Sequence, residues 1–261
     1  MSNSPLTTVT LLSPNFTRGR TYQGKTYPID TITIHCFVGQ VTAKRGCEIF
    51  MNTAKQASCN YVVGHDGSIG LCVEEANRSW CTGGKFSVNG ITGSMNDYRA
   101  VTIEVACDPT HPYAVTDKAY AALIELCADI CRRNGIKRLL WKGDKNLVGK
   151  VEQQNMTVHR WFAAKACPGD YLYERHGDIA AKVNAKLTVA ENGPEEVPVK
   201  IYHTLPDVPD SYRPTIQKLM EKKALCGYSD PDPTRLDDNI IDVDEVYCRV
   251  MTTLDRLGVL G

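Results

Sequence analysis

Alternating apolar and polar residues predict the strands of this chain. One strand is predicted over residues 24–35, where Ile32 and Ile34 alternate with threonines, and another over the alternating run 100–106. Residues 59–73 hold two apolar runs around Asp66-Gly67, a dipeptide typical of hairpin turns. A further apolar run at 138–141 predicts a returning strand.

A helical period of apolar residues appears between these runs. It is clearest over residues 116–135, where Thr116 is a suitable N-cap and Gly135 a suitable stop. Shorter helices are predicted over 42–56 and 178–187. Strands that alternate with helices predict an α/β fold with a central mixed β-sheet flanked by helices.

A polar segment that contains proline, residues 191–199, reads as a linker between two domains. We therefore expect a catalytic domain at 1–190 and a small helical domain at 200–261. The small domain is predicted to contain helices over 211–225 and 243–257, with a turn-rich loop at 226–233.

Composition and charge narrow the class of protein. Apolar residues make up 43% of the 261 residues, as in ordinary globular proteins, and no apolar run approaches the roughly 20 residues that span a membrane. The first five residues lack the features of a signal peptide, so we expect synthesis in the cytoplasm. The segment 1–190 carries 22 basic and 16 acidic residues. This excess either favours an anionic polymer such as a cell wall or is an ordinary surface imbalance.

The eleven cysteines include no CxxC pair, and most lie in apolar segments. This pattern favours reduced thiols over a disulfide framework or a zinc ribbon.

Three residues form a candidate metal site. His159 and Cys167 lie eight positions apart, and His35 ends the first predicted strand. Zinc readily accepts two imidazoles and one thiolate. Three protein ligands leave a fourth tetrahedral position for water, which is typical of catalytic zinc.

Two charged residues have alternative interpretations. Glu104, in an otherwise apolar strand, either faces solvent or acts as a general base at the metal site. Lys165, two residues before Cys167, is either an ordinary solvated lysine or a group that stabilises an oxyanion.

Four ordered segments resemble the type 2 group of N-acetylmuramoyl-L-alanine amidases, which includes phage lysozyme-like amidases and peptidoglycan recognition proteins. The resemblance covers roughly residues 25–188. The matching segments are Thr33-Ile34-His35, the run from Ala57 to Gly67, Val101-Thr102-Ile103-Glu104, and Thr157-Val158-His159 with Lys165-Ala166-Cys167-Pro168-Gly169.

The resemblance implies that His35, His159 and Cys167 bind one zinc ion and that Lys165 stabilises the oxyanion. The reaction implied is hydrolysis of the amide between N-acetylmuramic acid and L-alanine in peptidoglycan. Non-catalytic relatives typically lose the cysteine, so Cys167 favours an enzyme over a peptidoglycan-binding module.

The general base is where this chain departs from many relatives. Cys59 stands at the position of their catalytic tyrosine, and Tyr61 lies two residues further on. Other members use a glutamate of the central strand, which Glu104 matches. We therefore expect Glu104 to be the base and Tyr61 to be a core or wall residue. Trp80 and Asn60 are the expected substrate contacts, although Trp80 is equally well read as a core residue.

Residues 205–230 are similar to an S-layer-homology repeat, but Asp242-Val243-Asp244-Glu245 replaces the usual basic motif. The small domain is therefore either a module that binds a secondary wall polymer or forms homo-oligomers, or an appendage that packs on the enzyme. Together these features predict a phage or prophage endolysin that reaches the wall after release, with no nucleic acid partner. The alternative is a cytosolic amidase that recycles muropeptides.

Overall fold

The computed structural model describes residues 3–191, 200–225 and 240–260. The chain divides into two compact units, Met1–Glu191 and Asn192–Gly261. Among the described residues, no helix is both long and apolar enough to cross a lipid bilayer.

A six-stranded mixed sheet forms the centre of the first unit. The four strands on one side of the sheet are mutually parallel, the next strand is antiparallel to them, and the outermost strand pairs with that one in parallel. This arrangement confirms the predicted fold class. From one edge to the other, the strands are Val9–Thr10, Ile69–Leu71, Tyr61–Val63, Ala100–Val105, Thr31–Cys36 and Met156–Thr157. Short two-stranded pairs join Phe16–Thr17 to Arg78–Ser79, Thr21–Tyr22 to Lys25–Thr26, and Ser87–Val88 to Ile91–Thr92.

Helices cover both faces of this sheet. The Thr116 side chain accepts a hydrogen bond from the amide of Ala119, and Gly135 ends the same helix in the left-handed conformation, as predicted. The α-helices are Ala43–Phe50, Gly93–Asn96, Asp117–Asn134 and Asp170–Glu191, and the 3-10 helices are Thr53–Lys55, Lys145–Leu147 and His159–Trp161.

The two central strands have one apolar face and one polar face. Their apolar residues pack against Asp117–Asn134 and Asp170–Glu191 in the main core. Their polar residues alternate with these and therefore point to the other face, where helix Ala43–Phe50 covers the neighbouring strands. The apolar set includes Ile32, Ile34, Val101, Ile103 and Val105, and the polar set includes Thr33, His35, Thr102 and Glu104.

The predicted strand at 138–141 is wrong. Its backbone bonds to side-chain amides instead of to a strand: the amide of Leu139 donates to Asn184, and the amide of Leu140 donates to Asn155. The edge position of the sheet is taken by Met156–Thr157. The predicted helix at 178–187 is also longer, because Gly177 lies inside Asp170–Glu191 instead of before it.

The second unit has its own apolar core. A 3-10 helix, Leu205–Asp207, and two α-helices, Arg213–Glu221 and Glu245–Arg256, accompany an antiparallel pair of strands, Ile201–Thr204 and Ile240–Asp244. These strands lie in a domain that was predicted to be helical, so that prediction is corrected to a mixed unit of strands and helices. The loop predicted at 226–233 lies outside the described residues, as does nearly all of the predicted linker.

A buried carboxylate ties the sheet to the end of a core helix. Glu75 is fully buried and accepts hydrogen bonds from the Tyr61 hydroxyl at 2.6 Å, the Arg133 guanidinium at 2.6 Å and the Asn134 amide at 2.9 Å. These three donors satisfy the charge of Glu75 without solvent.

We expect Glu75→Gln to lower the free energy of unfolding by about 2 kcal/mol, because a neutral amide replaces the buried carboxylate that accepts from Tyr61, Arg133 and Asn134, although Arg133 keeps its ion pair with Asp129. Urea denaturation measures this change. Glu125→Gln is the matched control, since Glu125 pairs with Lys186 at the surface, and it should change stability by no more than about 1 kcal/mol. Equal effects of the two substitutions would contradict the prediction.

Candidate active site

The structure brings together the three predicted metal ligands. The donor atoms of His35, His159 and Cys167 all lie within 4.8 Å of one another. The Cys167 sulfur is 3.3 Å from Nδ1 of His35, and the two imidazole rings meet edge to face with centroids 5.1 Å apart. Two neutral imidazoles and a thiol at this spacing fit the donor set that zinc prefers.

The strands and loops that carry the three ligands determine where each ligand lies. His35 is the fifth residue of strand Thr31–Cys36, and His159 begins the short helix that follows strand Met156–Thr157. These two strands are parallel neighbours, so their carboxyl ends lie side by side. Cys167 lies in the loop before helix Asp170–Glu191.

Arg160 holds the cysteine loop against the histidine segment. Its amide donates to the Cys167 carbonyl at 3.1 Å. Its guanidinium donates to the Ala166 carbonyl at 2.5 Å and to the Asp170 carboxylate at 3.0 Å. These contacts close the segment between His159 and Cys167 into a loop, with both ligands at its base.

Burial shifts the pKa values of the three candidate ligands in directions that favour binding of a cation. Desolvation, followed by the neighbouring His159, holds the pKa of His35 well below its usual value. Desolvation and the charge of Lys165 also lower the pKa of His159. Both rings are therefore neutral, as metal ligands must be. Burial raises the pKa of Cys167, so its thiolate needs a nearby positive charge, which a divalent cation supplies.

Glu104 lies beside His35 on the adjacent strand. The two residues are direct partners in the parallel register, so their side chains leave the same face of the sheet. Burial, with a smaller contribution from Cys107, raises the pKa of Glu104 to about 8. Its Oε2 atom is buried without a hydrogen-bond partner among the described residues, and Oε1 is 3.8 Å from the Cys81 sulfur. A carboxylate with a free oxygen and a raised pKa suits a general base.

Sequence reasoning missed two neighbours of this cluster. Cys81 lies within 4.8 Å of donor atoms of His35 and Glu104, and the Thr82 hydroxyl is 3.2 Å from Nε2 of His35. Both lie in a loop that carries no metal-binding spacing. Only the tertiary structure places that loop against the end of the central strands.

Lys165 lies in the same loop as Cys167, with its side chain exposed. Its charge is close enough to lower the pKa of His159. No ion pair of Lys165 occurs among the described residues. An unpaired ammonium group at the rim of the cluster is positioned to attract a developing negative charge.

Trp80 is half-buried and lines a cavity of about 210 Å³ with Arg78, Gly83 and two other residues. Its indole donates to the Thr17 hydroxyl at 2.8 Å. The cavity adjoins the loop of Thr82, so the ring remains available as a wall of a substrate groove.

Asn60 does not reach this groove, contrary to expectation. It is fully buried, its amide nitrogen donates to the Val73 carbonyl at 3.1 Å, and its amide oxygen accepts from the amide and hydroxyl of Thr102. Its amide nitrogen also lies within hydrogen-bond distance of the Glu74 and Asn77 carbonyls, so the 73–77 segment covers the side chain. Asn60 is therefore a structural residue. Tyr61 is likewise a core residue, with its hydroxyl bound to Glu75.

A mixed α/β sheet with a histidine, cysteine and glutamate cluster at the carboxyl ends of its central strands defines a candidate hydrolase. The sequence model of the N-acetylmuramoyl-L-alanine amidase family matches residues 25–170. This match spans more than half of the chain, and the chain therefore belongs to that family and is an enzyme of its class. No curated protein matches the chain significantly.

Solved structures show the same fold. A hydrolase of Staphylococcus aureus, AmiA, solved in complex with its ligand, superposes with a TM-score of 0.50 at 17% identity, over 74% of this chain and 87% of AmiA. A selenomethionine derivative of AmpD is similar to this chain with a TM-score of 0.49 and 17% sequence identity. The match covers 68% of this chain and 96% of AmpD. The amidase endolysin LysCS of Clostridium intestinale is similar to this chain with a TM-score of 0.45 and 17% sequence identity. The match covers 70% of this chain and 99% of LysCS.

Proposed function

We propose that this protein uses one bound zinc ion to hydrolyse the amide bond between N-acetylmuramic acid and L-alanine in bacterial peptidoglycan, and that this reaction lyses the wall as an endolysin does. The observation that carries the proposal is the cluster of His35, His159 and Cys167 next to Glu104, whose Oε2 atom has no hydrogen-bond partner among the residues that the structure describes. The family match supports the amide bond as the target.

The ligand residues and Glu104 have separate roles in this proposal. A bound zinc ion supplies Lewis acidity and a water molecule whose pKa is lowered to about 7. Glu104 accepts the proton of the attacking water and then delivers a proton to the leaving amine of L-alanine. The pKa of about 8 suits Glu104 to donate the proton to the amine, and a bound cation would lower this pKa so that the carboxylate form can accept the proton of water.

Lys165 and the groove complete the proposed site. The ammonium group of Lys165 stabilises the negative charge that develops on the carbonyl oxygen. Trp80 forms an apolar wall against which a sugar or peptide can stack, and Arg78 lines the same cavity. The second unit stays a candidate wall-binding or oligomerising module, and the apolar core formed by its described residues gives it a separate structural basis.

The decisive experiment measures new amino-terminal L-alanine released from purified peptidoglycan, with and without a chelator. Release that is lost with the chelator and restored by zinc supports the proposal. Wall binding without released amines or reducing sugars would replace it with a binding module. Preference for soluble anhydromuropeptides over intact wall would favour the alternative, a recycling amidase.

We expect Lys165→Ala to lower kcat by about 100-fold, because one stabilising group for the oxyanion is lost. Bound zinc should not change, since Lys165 is not a ligand. Lys150→Ala is the control, because Lys150 is also exposed on a loop of the same unit but lies outside the cluster. A Lys165→Ala enzyme with unchanged kcat would assign this lysine to the solvated surface.

A further inference from the structure

The two ring nitrogens of His35 face different partners. Nδ1 faces the Cys167 sulfur at 3.3 Å, and Nε2 faces the Thr82 hydroxyl at 3.2 Å. His35 and Thr82 are both fully buried, so water does not compete for either contact. The Thr82 hydroxyl is therefore the specific neighbour of the nitrogen that points away from the cluster.

A neutral imidazole carries one proton, and the nitrogen without it is the one that can bind a metal. Nδ1 can therefore act as a ligand only when the proton is on Nε2, where it needs an acceptor. We propose that Thr82 is a positioning residue that accepts this proton's hydrogen bond and so fixes both the tautomer and the ring orientation of His35. This inference rests on the proposed metal site, and it extends that site to a residue with no metal-binding signature of its own.

Asp97 fixes Thr82 in turn. Its Oδ2 atom accepts the amide of Thr82 at 2.8 Å and the amide of Cys81 at 3.1 Å, and its side chain is fully buried. A carboxylate that accepts two backbone donors away from solvent defines the path of this loop closely. The backbone at Thr82 therefore cannot move away from His35 without breaking the amide contacts of Asp97.

The opposite side of the loop is closed by Gly93. A Cβ atom at this position would lie 1.9 Å from the Thr82 carbonyl oxygen, so only glycine permits the helix Gly93–Asn96 to approach so closely. The same helix leads directly into Asp97. One short element therefore supplies both the close contact and the carboxylate that hold Thr82.

The test compares Thr82→Val, which keeps the shape and loses the hydroxyl, with Thr82→Ser, which keeps the hydroxyl. Zinc affinity is measured by competition with a chromogenic chelator. Loss of a hydrogen-bond partner behind a metal ligand typically weakens affinity 10- to 100-fold, and we expect this loss for Thr82→Val. Thr82→Ser should bind zinc nearly as tightly as the wild type.

Thr33→Val controls for general loss of a buried hydroxyl. Thr33 lies on the same face of the same strand as His35, is fully buried, and bonds to Thr157 at 2.7 Å and Asn96 at 2.9 Å. Its loss should leave zinc affinity within a few fold of the wild type. An equal loss in Thr33→Val and Thr82→Val would overturn the proposal, as would an unchanged affinity in Thr82→Val.

A second measurement needs neither metal nor variant. Nitrogen-15 NMR of the metal-free wild type reports which ring nitrogen of His35 carries the proton. Protonation at Nε2 supports the proposal, and protonation at Nδ1 overturns it. Failure of the proposed function is distinct, because it would appear as absence of L-alanine release from peptidoglycan by an enzyme whose zinc affinity still depends on Thr82.

Discussion

Replacing Glu104 with glutamine is expected to lower kcat for release of L-alanine from peptidoglycan by about 1,000-fold. Glutamine keeps the size of the side chain but can neither accept the proton of the attacking water nor return one to the leaving amine. Because Glu104 is not among the proposed ligands, the variant should bind zinc with the wild-type stoichiometry. Its kcat should therefore fall while its zinc content stays the same as in the wild type.

Amine release under saturating substrate, with metal analysis of the same sample, makes this measurement. Glu174→Gln is the matched control, since Glu174 is an exposed carboxylate on helix Asp170–Glu191 outside the cluster. It should keep wild-type kcat. A Glu104→Gln enzyme with more than a tenth of wild-type activity would show that another group transfers the proton. Thermal unfolding of each variant shows whether the fold is retained.

The sequence predicted the sheet well because its central strands carry their own pattern. Alternation in 31–35 and 100–105 follows directly from one face against core helices and another face beneath the site. The remainder of the run predicted at 24–35 is not part of the central strand, since Lys25–Thr26 pairs with Thr21–Tyr22 instead. The strand predicted at 138–141 is wrong because contacts with distant residues, and not the local pattern, determine the structure of this segment. It is as apolar as a strand, but the side chains of Asn155 and Asn184, which are distant in sequence, take its hydrogen bonds.

The candidate site likewise contains residues that the sequence predicted and contacts that it could not predict. His35 and Glu104 lie near the carboxyl ends of two strands and His159 follows a third. The parallel pairing of these strands places the three residues together, so motif order was enough to select them. Asn60 was selected from a different matching segment, Ala57 to Gly67, yet its side-chain amide bonds to Thr102 and to the backbone. Contacts such as that of Thr82 with His35 join segments 47 positions apart and leave no local signal in the sequence.

Removal of the metal is expected to lower the thermal stability of the first unit as well as abolish amide hydrolysis. A ligand that binds only the folded state stabilises it by about 4 kcal/mol at a thousandfold excess over its Kd. For a unit of this size, that stabilisation corresponds to roughly 10 °C in Tm. Calorimetry of the chelated protein, before and after zinc is added back, measures this shift.

Cys167→Ala should remove most of that zinc-dependent shift, because the variant keeps only the two histidine ligands. Its zinc affinity should fall by more than the roughly 100-fold typical of losing an outer hydrogen-bond partner. Cys127→Ala is the matched control: Cys127 is buried in helix Asp117–Asn134, distant in sequence from the three ligands, and its loss should leave the zinc response intact. A full zinc-dependent shift in Cys167→Ala would contradict the ligand set.

The pH dependence of zinc binding gives an independent check on Cys167. Because burial raises the pKa of its thiol, the metal-free site holds a proton that zinc must displace. Zinc affinity of the wild type should therefore strengthen as the pH rises through the neutral range. Both histidines are already neutral there, because burial lowers the pKa of each, and they contribute no such dependence. Burial also raises the pKa of the neighbouring Glu104 to about 8, so its carboxyl group can contribute a second displaced proton. The part of the pH slope that Cys167→Ala removes and Glu104→Gln retains therefore assigns a displaced proton to the Cys167 thiol.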